Sequence, residues 1–247
     1  MRIAITRDHY DAVLFDLDGV ITDTAKLHAA SWKQMFDAYL QKRAAERSEA
    51  FRPFDIDTDY RLYVDGKPRF DGVRDFLTSR GIQLPEGTPD DPPQAETVGG
   101  LGNRKNVLVN KIIAEEGVEP YEGSVRLIRQ LRHKGLKIAV VTSSQNCETD
   151  LKAAKLDGNF DVQIDGNEIE AKQLAGKPAP DTFLMAAKLL GVEPQRAVVI
   201  EDAISGVQAG ANGKFGLVIG VARKANAEEL RHEGAHLVVM DLGELVD

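Results

Sequence analysis

Short apolar runs recur along the chain at Ala12–Phe15, Leu136–Val141, Ala197–Ile200, Leu217–Val221 and Leu237–Val239. Their length and continuity predict strands covered on both faces. From residue 121 onward they alternate with amphipathic stretches. Val125, Leu127, Ile128 and Leu131 form one such face; Phe183, Leu184, Ala187 and Leu190 a second; Ile204, Val207 and Ala211 a third. Alternating strands and helices predict an α/β fold, a doubly wound, Rossmann-like parallel sheet. The first run belongs to the same sheet, yet the residues between it and 121 do not continue the alternation.

That interval opens with Trp32, Met35, Phe36, Tyr39 and Leu40 on one apolar face at helical spacing. It continues through a more polar region, Phe51 to Gly81, and a Pro- and Asp-rich stretch, Pro85 to Pro93, that reads as an exposed loop. Gly99-Gly100-Leu101-Gly102 lacks the third spaced glycine and the preceding strand of a nucleotide loop, so a flexible loop is expected there. The predicted organisation is a core of 1–25 and 116–247, interrupted by a mainly α-helical cap domain over 26–115.

A chain of 247 residues with 43% hydrophobic positions can bury one main domain and a smaller one. With 31 basic and 39 acidic side chains the net charge is -8, and no basic stripe marks a nucleic-acid partner. No apolar run approaches the ~20 residues that span a bilayer. Met1 to Arg7 has no apolar centre of a signal peptide. Cys147, the single cysteine, rules out an internal disulfide and fits a reducing compartment. These features predict a cytoplasmic protein, monomeric, with neither a nucleic-acid nor a membrane partner.

Ligands of open α/β sheets gather at the carboxyl ends of the strands. The first strand runs into Asp16-Leu17-Asp18-Gly19, two carboxylates that strand alternation would point the same way before a tight turn. The second runs into Thr142-Ser143-Ser144-Gln145-Asn146, a cluster of small donors, and the third into Glu201-Asp202. Upstream lies Lys177, followed by Pro178 and Pro180. Acids this close repel unless a cation joins them. An oxygen-only set without histidine or thiol favours Mg²⁺. Asp16 then suits a nucleophile forming an acyl phosphate, Asp18 a proton shuttle, and Lys177 with Thr142 a cradle for phosphoryl oxygens. Singly, each has an ordinary alternative: a surface lysine, helix-capping hydroxyls, an acid pair at a helix start.

With these four groups in this order, the chain resembles the haloacid dehalogenase superfamily, and within it the β-phosphoglucomutase-like branch. The superfamily pattern falls on Asp16 and Asp18, Thr142, Lys177, and Glu201-Asp202. The branch pattern falls on Thr24, His28 and Trp32, on Gly66-Lys67-Pro68-Arg69 and Arg104-Lys105-Asn106, and on Tyr121-Glu122-Gly123. The resemblance implies Mg²⁺-dependent phosphoryl transfer on a sugar phosphate through phosphorylated Asp16. Asp16 and Asp202 would ligate by side chain and Asp18 by its carbonyl, with Glu201 completing the set. In such mutases β-glucose 1-phosphate and glucose 6-phosphate interconvert through a bisphosphate that turns over within the site.

Mutase and phosphatase differ in a second phosphate pocket. The planar fork of Arg69 suits a non-reacting phosphate. By resemblance, Ser143, Ser144 and Asn146 serve substrate binding from the core loop, with Thr24, Trp32 and Gly66 beside them in the pattern. Lys105 and His28 would link sugar binding to Asp18. Gln145 stands where the mutase pattern has a lysine, and Lys67 is a candidate replacement. A sugar-phosphate phosphatase is the second reading, and a non-catalytic sugar-phosphate sensor a remote third.

Overall fold

A computed structural model describes residues 5–223 and 226–247. The first four residues of the opening segment read above for a leader lie outside the described residues. Contacts divide the chain into two units, Met1–Asp23 with Val118–Asp247, and Thr24–Gly117. Among the described residues, no helix is long and apolar enough to cross a membrane.

Among the described residues, the first unit is built on six parallel strands in the order β3-β2-β1-β4-β5-β6. They are β1 (Ala12–Phe15), β2 (Lys137–Val141), β3 (Val162–Ile164), β4 (Ala197–Glu201), β5 (Leu217–Val221) and β6 (Leu237–Val239). All of β1, β4 and β5 is buried, which is why these strands read as unbroken apolar runs. On one face Leu14, Val141, Val199 and Val218 pack against Phe183, Ala187 and Leu190 of α5 (Asp181–Leu190) and Val207 of α6 (Ile204–Asn212). Val13, Phe15, Ile138 and Val140 point the other way and are equally buried; α4 (Glu122–His133) packs on β2. The sheet thus has the doubly wound form. β3 has no counterpart among the predicted strands, being three residues long at the sheet edge with an exposed Gln163. Strand order reverses between β1 and β4, so the crevice outside their carboxyl ends is the expected ligand position.

The second unit is helical: α1 (Ala25–Arg47), a π-helical segment (Ile56–Val64), α2 (Arg69–Ser79) and α3 (Val98–Glu116). Its centre is aromatic. Phe36 lies 4.1 Å from Phe76, 5.2 Å from Phe54 and 5.3 Å from Trp32, centroid to centroid. The stretch Phe51 to Gly81, polar in composition, nevertheless buries Phe54, Tyr60, Val64, Val73, Phe76 and Leu77. Pro85 to Pro93 has no regular element and is largely exposed, as expected.

Gly99 to Gly102 corrects an expectation. These residues are the first turns of α3 and are buried, not a flexible loop. A methyl at Gly99 would stand 2.1 Å from the Thr88 carbonyl oxygen, one at Gly100 2.3 Å from that of Ala95, and one at Gly102 2.7 Å from the Phe70 ring. The glycines serve close backbone approach rather than flexibility.

Candidate active site

Asp16 follows β1 directly, and its N–H donates to the Ile200 carbonyl of β4 at 2.9 Å, so sheet register fixes its place. Lys177 donates to Asp16 Oδ1 at 2.5 Å and to the Val141 carbonyl at 3.2 Å. The same ammonium lies 2.5 Å from Glu201 Oε1 at the end of β4. Glu201 Oε2 accepts the N–H groups of Asp202 at 3.1 Å and Ala203 at 3.4 Å. Lys177 is 2% exposed, Asp16 5%, Glu201 0% and Asp202 7%, so this is an interior charge cluster.

Carboxylate oxygens of Asp16, Glu201 and Asp202 lie within 4.8 Å of one another. Three buried carboxylates against one ammonium leave an excess of negative charge that a divalent cation would offset. Burial pushes the Asp16 carboxyl well above the ordinary carboxylate range; Glu201 and then Asp18 add to the rise, and Lys177 opposes it. Burial disfavours the Lys177 ammonium, but Asp16 and Glu201 outweigh that and hold it charged. The donor set, all hard oxygen, fits Mg²⁺.

The pleat of β1 ends at Phe15, and the two aspartates take different partners. Thr142 Oγ1 donates to Asp18 Oδ2 at 3.4 Å. The turn after β2 is braced internally: the Ser144 N–H donates to Thr142 Oγ1 and the Asn146 N–H to Ser144 Oγ, both at 3.1 Å. Asn146 Nδ2 is buried without an acceptor among the described residues. Ser143 lies in the same turn, its carbonyl 2.8 Å from where a Gly166 methyl would be. Gln145, whose side chain departs from the mutase pattern, donates to Glu170 Oε2 at 3.1 Å.

Within the helical unit, Thr24 is buried just before α1, and its carbonyl accepts the N–H groups of Leu27 and His28 at 2.9 and 3.0 Å. Lys105 of α3, also buried, bonds His28 Nδ1 at 2.9 Å and stands 5.2 Å from the centroid of the Trp32 ring. His28, Trp32 and Lys105 are therefore one cluster. Gly66 holds φ +71 in the turn before Pro68, a left-handed geometry that favours glycine. Arg69 opens α2; its Nη2 donates to Asn103 Oδ1 at 3.1 Å, and its guanidinium lies 4.3 Å from the Phe70 ring centroid. Lys67 lies 2.6 Å from Asp75, so its charge is already matched by a neighbour on α2. That arrangement speaks against Lys67 as the replacement cation.

Residues 10–214 match the model of the haloacid dehalogenase-like hydrolases. The chain belongs to this family. It is similar to a Beta-phosphoglucomutase of Mycobacterium tuberculosis, 52% identical over 238 residues, covering 95% of this chain and 91% of the relative. A Beta-phosphoglucomutase of Bacillus subtilis is 34% identical over 202 residues, 80% of this chain and 77% of that one. The crystal structure of beta-phosphoglucomutase from Clostridium difficile aligns with a TM-score of 0.72 at 26% identity, covering 96% of this chain and 93% of the other. The family and these likenesses make the chain an enzyme of the β-phosphoglucomutase-like branch.

Three site features of this haloacid dehalogenase-like enzyme escape sequence reasoning. A methyl at Gly206 of α6 would fall 1.9 Å from Glu201 Oε1, so only glycine admits that carboxylate. Gly19, at φ +83, likewise makes room for Asp202 Oδ2, 2.1 Å from a methyl there. Arg223 Nε donates to the Gly19 carbonyl at 3.0 Å, Nη1 to Asp241 Oδ2 at 3.0 Å, and the guanidinium lies 3.6 Å from the Tyr121 ring centroid. Nothing in local sequence signals Arg223 or Gly206. The φ-positive turn at Gly19 is legible, but not the carboxylate beneath it.

Proposed function

We propose that the protein is a phosphoryl-transfer enzyme of β-phosphoglucomutase type, interconverting β-glucose 1-phosphate and glucose 6-phosphate through the 1,6-bisphosphate. The observation that carries this reading is Asp16, buried beside Lys177 and joined by Glu201 and Asp202 in one acid set. The 52% identity to a protein named Beta-phosphoglucomutase supports the choice of sugar.

Asp16 and Asp202 would hold Mg²⁺ by side chain and Asp18 by its carbonyl, with Glu201, already engaged by Lys177, supporting the set. The ion supplies charge neutralisation for the carboxylates and for a phosphate oxygen. In the first half the 6-hydroxyl of β-glucose 1-phosphate attacks the phosphorus of phosphorylated Asp16, Asp18 takes its proton and the bond from phosphorus to Asp16 breaks, which gives the 1,6-bisphosphate. In the second half, after the bisphosphate has turned over, an Asp16 oxygen attacks the phosphorus of the 1-phosphate. The bond from that phosphorus to the sugar oxygen breaks, and Asp18 returns the proton to that oxygen, which leaves glucose 6-phosphate and phosphorylated Asp16. Lys177 and Thr142 hold the phosphoryl oxygens while charge redistributes. Asn146 Nδ2, buried and lacking an acceptor among the described residues, suits a substrate oxygen. Arg69 binds the phosphate that does not react.

Gln145 favours a second reading, a sugar-phosphate phosphatase, because a cation of the mutase pattern is missing and Lys67 is matched by Asp75. One assay separates the two. Incubation with Mg²⁺, β-glucose 1-phosphate and a trace of the 1,6-bisphosphate is expected to give glucose 6-phosphate. Inorganic phosphate released in proportion to substrate consumed would establish the phosphatase instead, and no turnover at all would remove both.

A further inference from the structure

The Pro-rich loop between α2 and α3 and the glycines that follow it have no part in the chemistry above, yet both converge on Arg69. Asn103 stands at the meeting point. Its Oδ1 accepts from Arg69 Nη2 at 3.1 Å, and its Nδ2 donates to the carbonyls of Pro89 at 2.7 Å and Asp91 at 2.8 Å. A guanidinium can only donate and a carbonyl can only accept, so the bridging group must offer one acceptor and two donors. A carboxylate at this length lacks the donors, and a hydroxyl has only one.

The loop is itself held in place. Thr88 Oγ1 donates to Asp91 Oδ1 at 2.9 Å, Thr97 Oγ1 to Asp91 Oδ2, and Arg104 Nε to the Pro93 carbonyl at 2.6 Å. The Val98 and Gly99 N–H groups donate back to the carbonyls of Pro85 and Glu86 at 3.0 and 3.1 Å. Gly99 and Gly100 let the loop reach the start of α3, and Gly102 lets the Arg69–Phe70 turn do the same: a methyl there would be 2.7 Å from the Phe70 ring. Loop, glycines and amide make one bracket around one guanidinium.

We propose that Asn103 is a positioning residue that orients Arg69 for the non-reacting phosphate, with the loop over residues 85–97 as its rigid support. The inference rests on the role given to Arg69 above. Pre-orienting an arginine lowers the entropy lost when it grips a phosphate, so the benefit falls on substrate affinity more than on the chemical step.

The test measures kcat and KM for isomerisation in the wild type, Asn103→Ala, Asn103→Asp, Arg69→Ala and the Arg69→Ala/Asn103→Ala double variant, with a thermal melt of each. Asn103→Ala is expected to raise KM for the phosphorylated sugar about tenfold, the scale of one hydrogen bond to a charged group, and to move kcat less. Asn103→Asp, which keeps the acceptor but loses both donors, should be impaired to a similar degree. On the Arg69→Ala background, removing Asn103 should have no further effect. Full activity in Asn103→Ala, rescue by Asn103→Asp, or an undiminished loss in the double variant would overturn the inference while leaving the Arg69 assignment standing. A normal KM in Arg69→Ala would overturn that assignment first. Equal losses in kcat and KM accompanied by a lowered melting temperature would reduce Asn103 to a structural role, which also overturns the inference.

Discussion

The two units place their polar side chains by different means. In the sheet unit, Asp16, Thr142 and Glu201 stand at or just past the ends of β1, β2 and β4, whose parallel register aligns Phe15 with Val140 and Ile200. One backbone ladder therefore brings together residues far apart in sequence. In the helical unit no ladder exists. His28 meets Lys105 and Arg69 meets Asn103 through side-chain bonds between helices, and glycines set how closely the chain segments approach. Precision in the first comes from hydrogen-bonded backbone; in the second it comes from packing and individual polar contacts.

The largest expected effect lies in the sheet unit. Asp16→Asn should lower turnover by roughly 10³-fold or more, since the proposed nucleophile is removed, while circular dichroism and the melting profile remain those of a folded protein. Retained turnover would dissociate the strand end from the chemistry. Gly206→Ala comes next. Its methyl would displace Glu201 and with it the seat of Lys177, so activity should fall on the order of 10²-fold together with weaker Mg²⁺ binding, measured by titration. Wild-type metal affinity in that variant would show that the acid set tolerates movement. Gly99→Ala is the smallest of the three. Overpacking against the Thr88 carbonyl should cost about 1–3 kcal/mol in denaturant unfolding, with a greater effect on substrate affinity than on Asp16 chemistry. If both glycine variants acted alike on metal binding, the contrast between the units would fail.

The same contrast explains what was legible beforehand. The strands announced themselves because burial on both faces leaves an uninterrupted apolar run, and the acids after them could be found by reading one residue further. The helix carrying Trp32, Phe36 and Tyr39 was legible from spacing. β3 was not, because an edge strand of three residues has one exposed position and no pattern. Gly99 to Gly102 misled for a physical reason: glycine has the same identity whether it supplies turn freedom or space, and only the neighbour at 2.1 Å distinguishes the two. Lys67 looked available until Asp75, eight positions on, was seen beside it. Asn103, Gly206 and Arg223 owe their importance to partners that local sequence does not identify.

Arg223 has one practical consequence. Through Asp241 it connects the carboxyl-terminal segment to the Gly19 turn, and Asp241 Oδ1 also accepts the Gly243 N–H at 2.7 Å. Deleting the last seven residues, Asp241 to Asp247, would strip the guanidinium of its counter-ion. A substitution at Asp241 is therefore expected to loosen the Gly19 turn that makes room for Asp202, far from it in sequence.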